Sequence, residues 1–221
     1  MKKLLSASMM CADLMNVEKA VKELEAANIE YLHIDIMDGC FVPNITLSFD
    51  FVNALKSITD IPLDVHMMVN NPARFIDRMK LDNGDIICVH YEADENVGKT
   101  LELIRESGCQ AGLAINPTTP LSCLEGFTDS IDMALIMTVT PGFAGQKMFD
   151  GAQEKVRAAR EMLSKADRYI PIEVDGNMSP ENGRKLSAAG ADIFVLGTSG
   201  LFMKDKDMKT AAEGFRAAIA N

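Results

Sequence analysis

Four residues in this chain combine types and spacings that suit metal or proton chemistry. The segment Tyr31-Leu-His-Ile-Asp-Ile-Met-Asp-Gly39 alternates Leu32, Ile34 and Ile36 with His33, Asp35 and Met37. In a strand the second set shares one face, and the Asp-Gly that follows marks a strand running into a loop. An imidazole and a carboxylate on one buried face carry a desolvation cost, offset by a metal ion, a polar ligand or a mutual hydrogen bond. His66 ends a second apolar run, Asp64-Val-His66-Met-Met68, and Asp175 ends a third, Glu173-Val-Asp175-Gly176-Asn177. Taken singly, His66 reads equally as a satisfied core histidine, and Asp175 as a turn cap with Gly176.

The elements that must position them alternate along the chain. Strands are expected at Leu4–Met9, Tyr31–Met37, Pro62–Met67, Asp85–His90, Gln110–Ile115, Met133–Thr138, Ile170–Val174 and Ile193–Leu196. Between them apolar residues recur at helical spacing, as in Val17, Ala20, Val21, Leu24 and Ala27 in a helix from Leu14. Asn71-Pro72 reads as an N-cap and first helical position of a helix through Met79. Thr119-Pro120 opens a short helix, and Ser179-Pro180-Glu181 starts one that Gly190 ends. Eight strands alternating with helices over residues 1–221 predict a single (β/α)₈ barrel domain, a TIM barrel, with an open doubly wound sheet as the alternative. In a barrel the site lies at the C-terminal strand ends. His33, Asp35, His66 and Asp175 all fall there, and two imidazoles with two carboxylates at one mouth are a metal-ligand set.

The glycines suggest a second role. Gly142 and Gly145 follow the sixth strand, Gly176 the seventh, and Gly197-Thr-Ser-Gly200 the eighth. Glycine lets backbone approach a ligand, and N–H groups at a helix start hold phosphate. The last two of these loops contain no lysine or arginine, so binding would rest on backbone N–H groups and hydroxyls. Ordinary strand–helix turns are the plainer reading of each glycine.

Composition narrows the classes. A chain of 221 residues, 48% hydrophobic, supports a core of barrel size. The net charge of −10, without a basic cluster, argues against nucleic acid or an anionic membrane as partner. Cys11, Cys40, Cys88, Cys109 and Cys123 form no CxxC pair, which predicts reduced thiols in a cytoplasmic protein. No apolar run approaches the roughly 20 residues of a membrane span. Met1-Lys-Lys followed by Leu4-Leu-Ser-Ala-Ser-Met-Met-Cys11 faintly resembles a lipoprotein signal, but Ser6 and Ser8 interrupt it, and a first strand is expected instead.

The segments Ser8-Met-Met-Cys-Ala-Asp-Leu14, His33-Ile-Asp-Ile-Met-Asp-Gly39, Phe41-Val-Pro-Asn44, His66-Met-Met-Val69, Met137-Thr-Val-Thr-Pro-Gly-Phe-Ala-Gly-Gln146, Ile172-Glu-Val-Asp-Gly176 and Gly197-Thr-Ser199 resemble the ribulose-phosphate 3-epimerase family, in order and over nearly the whole chain. The resemblance implies a divalent metal on His33, Asp35, His66 and Asp175, with Asp35 and Asp175 also serving as the two acid/base residues. It implies a small-molecule ketose phosphate as partner, lined by Ser8, His66, Met37, Met68 and Met137. Family phosphate contacts fall on Gly142, Phe143, Ala144, Gly145, Gly176, Asn177, Gly197, Thr198 and Ser199. The two-histidine, two-carboxylate set favours zinc, with manganese, iron or cobalt as alternatives and one ion per chain. A homo-oligomer is also expected. The sequence departs from the family at Cys40, where histidine is usual, and at Ala144 and Asn177, where glycine is common. Phe143-Ala-Gly-Gln146 and Gly197-Thr-Ser-Gly-Leu-Phe202 look closer to the allulose-6-phosphate 3-epimerase branch, so the resemblance implies epimerisation at carbon 3 of allulose 6-phosphate/fructose 6-phosphate, with ribulose 5-phosphate/xylulose 5-phosphate as the alternative.

Rival chemistries lack their residues. An aldol-type synthase or decarboxylase of this barrel type would place a lysine beside the strand-two carboxylates, and none lies in His33–Asp38. A Schiff-base aldolase needs a lysine at a strand end, and none stands on the expected strands. A non-catalytic sugar-phosphate sensor would keep the glycine loops without needing both Asp35 and Asp175.

Overall fold

The computed structural model describes residues 2–220; Met1 and Asn221, the ends of the expected domain and the first residue of the signal-like start, lie outside the described residues. Eight parallel strands close on themselves: β1 (Leu4–Ser8), β2 (Tyr31–Asp38), β4 (Leu63–Met68), β5 (Ile86–His90), β6 (Gln110–Ile115), β7 (Met133–Met137), β8 (Ile172–Asp175) and β9 (Ile193–Leu196). Neighbours pair in chain order, and β1 pairs with both β2 and β9, which leaves no free edge and makes the sheet a barrel. Helices α1 (Val17–Ala26), α2 (Phe49–Lys56), α3 (Val97–Glu106), α4 (Ser122–Glu125), α5 (Ala152–Leu163), α6 (Pro180–Ala189) and α7 (Met208–Ile219) lie between strands. The expected (β/α)₈ TIM barrel is the observed architecture.

Strand alternation separates two cores. Leu5, Leu32, Ile34, Val65, Val89, Leu113, Ile136, Val174 and Phe194 belong to the large cluster that packs the barrel wall against the helices. The opposite face turns into the barrel. Ile86, Met133 and Ile193, with Leu4 and Tyr31 against them, belong to the apolar filling. Further along the same strand faces stand Ser6, His33, Asp64 and Glu173, all fully buried. The polar layer is therefore sealed beneath by hydrocarbon and opens only at the C-terminal strand ends.

Local chemistry sets most element ends. Ser179 caps α6 by accepting from the Asn182 N–H, with Pro180 in the first turn, and Asp207 does the same for α7 at Thr210. Two expectations need correction, and one strand was not expected. Asn71 does not cap an α-helix: it adopts the left-handed region (φ 52°), its side chain makes no cap, and Pro72–Arg78 is a 3₁₀ turn. The Asn71 N–H instead donates to Ala93 O, which ties this loop to its neighbour. Leu14 lies outside α1, because the Asp13 side chain takes the Met15 N–H and the Asn16 amide in a local turn. An unforeseen antiparallel strand, β3 (Ile45–Thr46), pairs with the end of β2 at Met37 and Asp38. Too short for a periodic signal, it is anchored by Thr46 Oγ1 donating to Asp35 O at 2.6 Å.

Candidate active site and metal centre

Register brings the four strand-end residues together. Asp35 on β2 pairs with His66 on β4, and Ser8 on β1 lies beside His33. Asp175 ends β8 beside Met137 of β7. Ligand atoms of His33, Asp35, His66 and Asp175 all lie within 4.8 Å of one another. His33 Nε2 and His66 Nδ1 each sit 3.3 Å from Asp35 Oδ1, and His66 Nδ1 is 4.0 Å from Asp175 Oδ2. Ser8 Oγ donates to Asp35 Oδ2 at 3.1 Å, which fixes that carboxylate's rotation.

These residues fit a divalent ion. His33 Nε2 is buried and makes no hydrogen bond, although it faces the cluster. Such an orphan costs about 1–3 kcal/mol unless something binds it. Two neutral imidazole nitrogens and two carboxylates supply the donors and the charge to balance a dication. Behind His33, its Nδ1 meets Asp64 Oδ2 at 2.6 Å, and Ser6 Oγ donates to the same oxygen at 2.9 Å. A carboxylate on the far nitrogen of a histidine aims the near nitrogen and raises its basicity.

The two acid/base candidates sit in unlike fields. Burial works against the Asp35 carboxylate, but the His33 charge and the His33 and His66 rings set against it outweigh burial and hold its pKa well below the usual range. Burial, with the Asp35 charge next, pushes Asp175 up to about 6. Burial also opposes a charge on His33, yet the Asp64 and Asp35 charges raise its pKa well above the ordinary histidine value. Burial and then the Asp64 charge push the Glu173 carboxyl well above the usual carboxylate range.

Above the cluster is a cavity whose wall includes Ser8, Asp35, Asp175, Met37, Met68 and Met137. Its outer wall is built from Gly142, Phe143, Ala144, Gly145, Gly176, Asn177, Gly197, Thr198 and Ser199. No lysine or arginine stands in that wall among the described residues. Gly176 is in the left-handed region (φ 119°), and a Cβ there would meet Val139 Cγ2 at 2.6 Å. The loop after β7 is braced by Asn44 Nδ2 donating to Gly142 O at 2.8 Å and by Asn177 Nδ2 donating to Gln146 O at 2.5 Å. Thus Asn177 fastens two of the outer loops together. His66 is the exception among the expected substrate residues: its ring is fully buried and forms no part of the wall. Cys40 is exposed and lies outside the wall too.

Sequence reasoning missed the supports. Asp64 and Glu173 each stand two residues before an expected ligand, so strand period already put them on the same face. His90 closes β5 and is as buried as the two identified histidines. Its strand-end position was the available signal.

Comparisons with known proteins point to one family. The family model described as "Ribulose-phosphate 3 epimerase family" matches residues 4–202. The ribulose-phosphate 3-epimerase of Bacillus subtilis is 38% identical over 87% of this chain and 89% of its own length. That of Escherichia coli K12 is 35% identical over 98% of this chain and 96% of its own. Among solved structures, a 3-hexulose-6-phosphate synthase superposes with a TM-score of 0.70 at 15% identity, covering 98% of this chain and 99% of its own. A tryptophan synthase α-subunit from Pyrococcus furiosus does so at 0.67 and 15%, over 99% and 98%. At those identities the likeness is one of fold alone.

Proposed function

The chain belongs to the ribulose-phosphate 3-epimerase family, and from that premise we propose that it is a metal-dependent isomerase that inverts carbon 3 of a ketose phosphate. The observation that carries this reading is the pair of carboxylates, buried Asp35 and half-buried Asp175, that line one cavity with oxygens within 4.8 Å of the nitrogens of His33 and His66.

Inversion beside the C2 carbonyl requires a proton to leave one face of the carbon and another to arrive on the opposite face. A single base cannot do both unless the substrate turns over. Asp35 comes from β2 and Asp175 from β8, on either side of β1 and β9, so they bracket a planar enediolate. One acts as base and the other as acid, and the roles exchange with direction. Asp35, strongly favoured as the anion, is suited to accept; Asp175, near 6, changes state close to neutral pH. A divalent ion held by His33, Asp35, His66 and Asp175 would supply Lewis-acid stabilisation of the developing negative charge, with zinc the first choice for this donor set. Met37, Met68 and Met137 form a soft apolar wall that keeps water from the reacting carbon. The glycine loops and the hydroxyls of Thr198 and Ser199 receive the phosphate through backbone N–H groups, as at a helix start.

For the substrate, the relatives named above carry the ribulose-phosphate name, which supports ribulose 5-phosphate and xylulose 5-phosphate as the first reading. The second, allulose 6-phosphate and fructose 6-phosphate, rests on the local wording Phe143-Ala-Gly-Gln146 and Gly197-Thr-Ser-Gly-Leu-Phe202. The reacting end is common to both. A hexulose moves its phosphate outward by roughly 1.3 Å, judged from bond lengths like those of the backbone, and only the outer loops can absorb that. One carbon discriminates by about 10- to 200-fold. The test is kcat/KM on both substrates with one preparation of known metal content. A ribulose 5-phosphate value at least tenfold higher supports the first reading, the reverse supports the second, and no epimerisation of either refutes the function.

A further inference from the structure

Two of the three histidines of the chain, His66 and His90, are hydrogen-bonded to one another, and His90 has no part in the chemistry above. His66 Nε2 lies 2.8 Å from His90 Nε2. His90 Nδ1 lies 3.1 Å from Glu92 Oε2. Glu92 Oε1 accepts the Asn116 N–H at 2.8 Å and the Thr119 hydroxyl. That loop is pinned by Lys155 Nζ, which donates to the carbonyls of Asn116, Pro117 and Thr119 at 2.7–2.9 Å. The half-buried Phe41 covers the His90 ring at 4.9 Å, and the His90 ring is fully buried.

Hydrogen-bond logic gives this line a direction. A contact between two imidazole nitrogens at 2.8 Å needs one proton between them. A carboxylate offers only lone pairs, so Glu92 Oε2 requires the proton of His90 on Nδ1. That leaves His90 Nε2 as the acceptor, and the shared proton belongs to His66 Nε2. The remaining nitrogen of His66, Nδ1, then presents its lone pair to Asp35 and Asp175.

We infer that Glu92 and His90 are positioning residues: acting through the loop after β5, they fix the tautomer in which His66 offers Nδ1 to a divalent ion. The inference rests on His66 as a metal ligand in the proposed function, and it reaches beyond the cavity, since neither Glu92 nor His90 lines it. It parallels the support of His33 by Asp64, but with a second imidazole interposed between carboxylate and ligand.

Glu92→Gln is a near-isosteric test. The fixed Asn116 N–H claims the single amide oxygen, so the amide NH₂ faces His90 Nδ1. His90 must then accept there and donate from Nε2, which transfers the conflict to His66. Nitrogen-15 NMR of histidine-labelled protein reads the tautomers without any turnover, so failure of the epimerase reading and failure of this one are distinct. In the metal-free wild type, a proton is expected on His66 Nε2 and on His90 Nδ1, with His90 Nε2 bare. Glu92→Gln is expected to move a proton to His90 Nε2 and to weaken zinc binding 10- to 100-fold, with the metal-free fold kept by circular dichroism. A wild-type His90 protonated on Nε2 would overturn the inference even if the variant failed to fold. So would a folded Glu92→Gln protein with unchanged tautomers or unchanged zinc affinity.

Discussion

Asp35 and Asp175 share a chemical type but not an environment. Asp35 is held by Ser8 and two imidazoles, whereas Asp175 faces the cavity at a side-chain exposure of 20%. Asp35→Asn and Asp175→Asn are each expected to lower kcat by about 10²–10⁴-fold, compared at equal metal content because both are proposed ligands. Turnover near wild type in either would exclude the two-carboxylate scheme. A pH dependence follows for metal uptake. Asp175, raised to about 6, holds a proton below that pH, and His33 holds one well above its ordinary value. Both must be released on ligation, so affinity rises with pH. Below pH 6 the Asp175 proton alone gives about a tenfold weakening per pH unit, and His33 adds to it. Metal titrations at pH 5, 6, 7 and 8 check this; an affinity that is flat or falls with pH would contradict it.

At the scale of elements, α6 separates support from contact. Ser179 caps the helix from outside the cavity wall, whereas Gly176 lies in that wall three residues earlier. Ser179→Ala should cost about 1 kcal/mol of stability and leave KM within about twofold. Gly176→Ala forces a side chain into the left-handed region and against Val139 and the Thr138 hydroxyl. It should cost about 1–3 kcal/mol and raise KM for the sugar phosphate well above that of Ser179→Ala. Denaturant melts with steady-state kinetics distinguish the two; equal KM values would remove Gly176 from the phosphate contacts. The eight strands and most helices were legible because a closed parallel barrel repeats one pattern, an apolar outer face under each helix. The four strand-end residues were legible because charge is costly at those positions. The 3₁₀ turn at Pro72–Arg78 was not, since Asn71-Pro72 is also the wording of a true cap and only the tie to Ala93 decides between them. The His90–Glu92 line was hidden for a different reason: it joins loops after β5 and β6, and no periodicity connects Glu92 with Asn116.

At the scale of the molecule, the barrel gives a strongly acidic chain a single polar interior layer, sealed below by apolar filling and open above. With a net charge of −10 and, among the described residues, no lysine or arginine in the cavity wall, the proposed sugar phosphate would not be held by side-chain cations there. In the proposed function, recognition falls to N–H groups at the outer loops, and reaction to the carboxylates at the inner end. That division lets the loops vary with the length of the sugar while the epimerising end stays fixed. The central claim is that two carboxylates exchange protons on opposite faces of carbon 3. Its most direct test is proton NMR of the product formed in D₂O from ribulose 5-phosphate, with allulose 6-phosphate in parallel. The account predicts that the epimer formed carries deuterium at carbon 3 from the first turnovers, delivered by a carboxyl that has equilibrated with solvent. An epimer that keeps the substrate's own hydrogen at that carbon would contradict it.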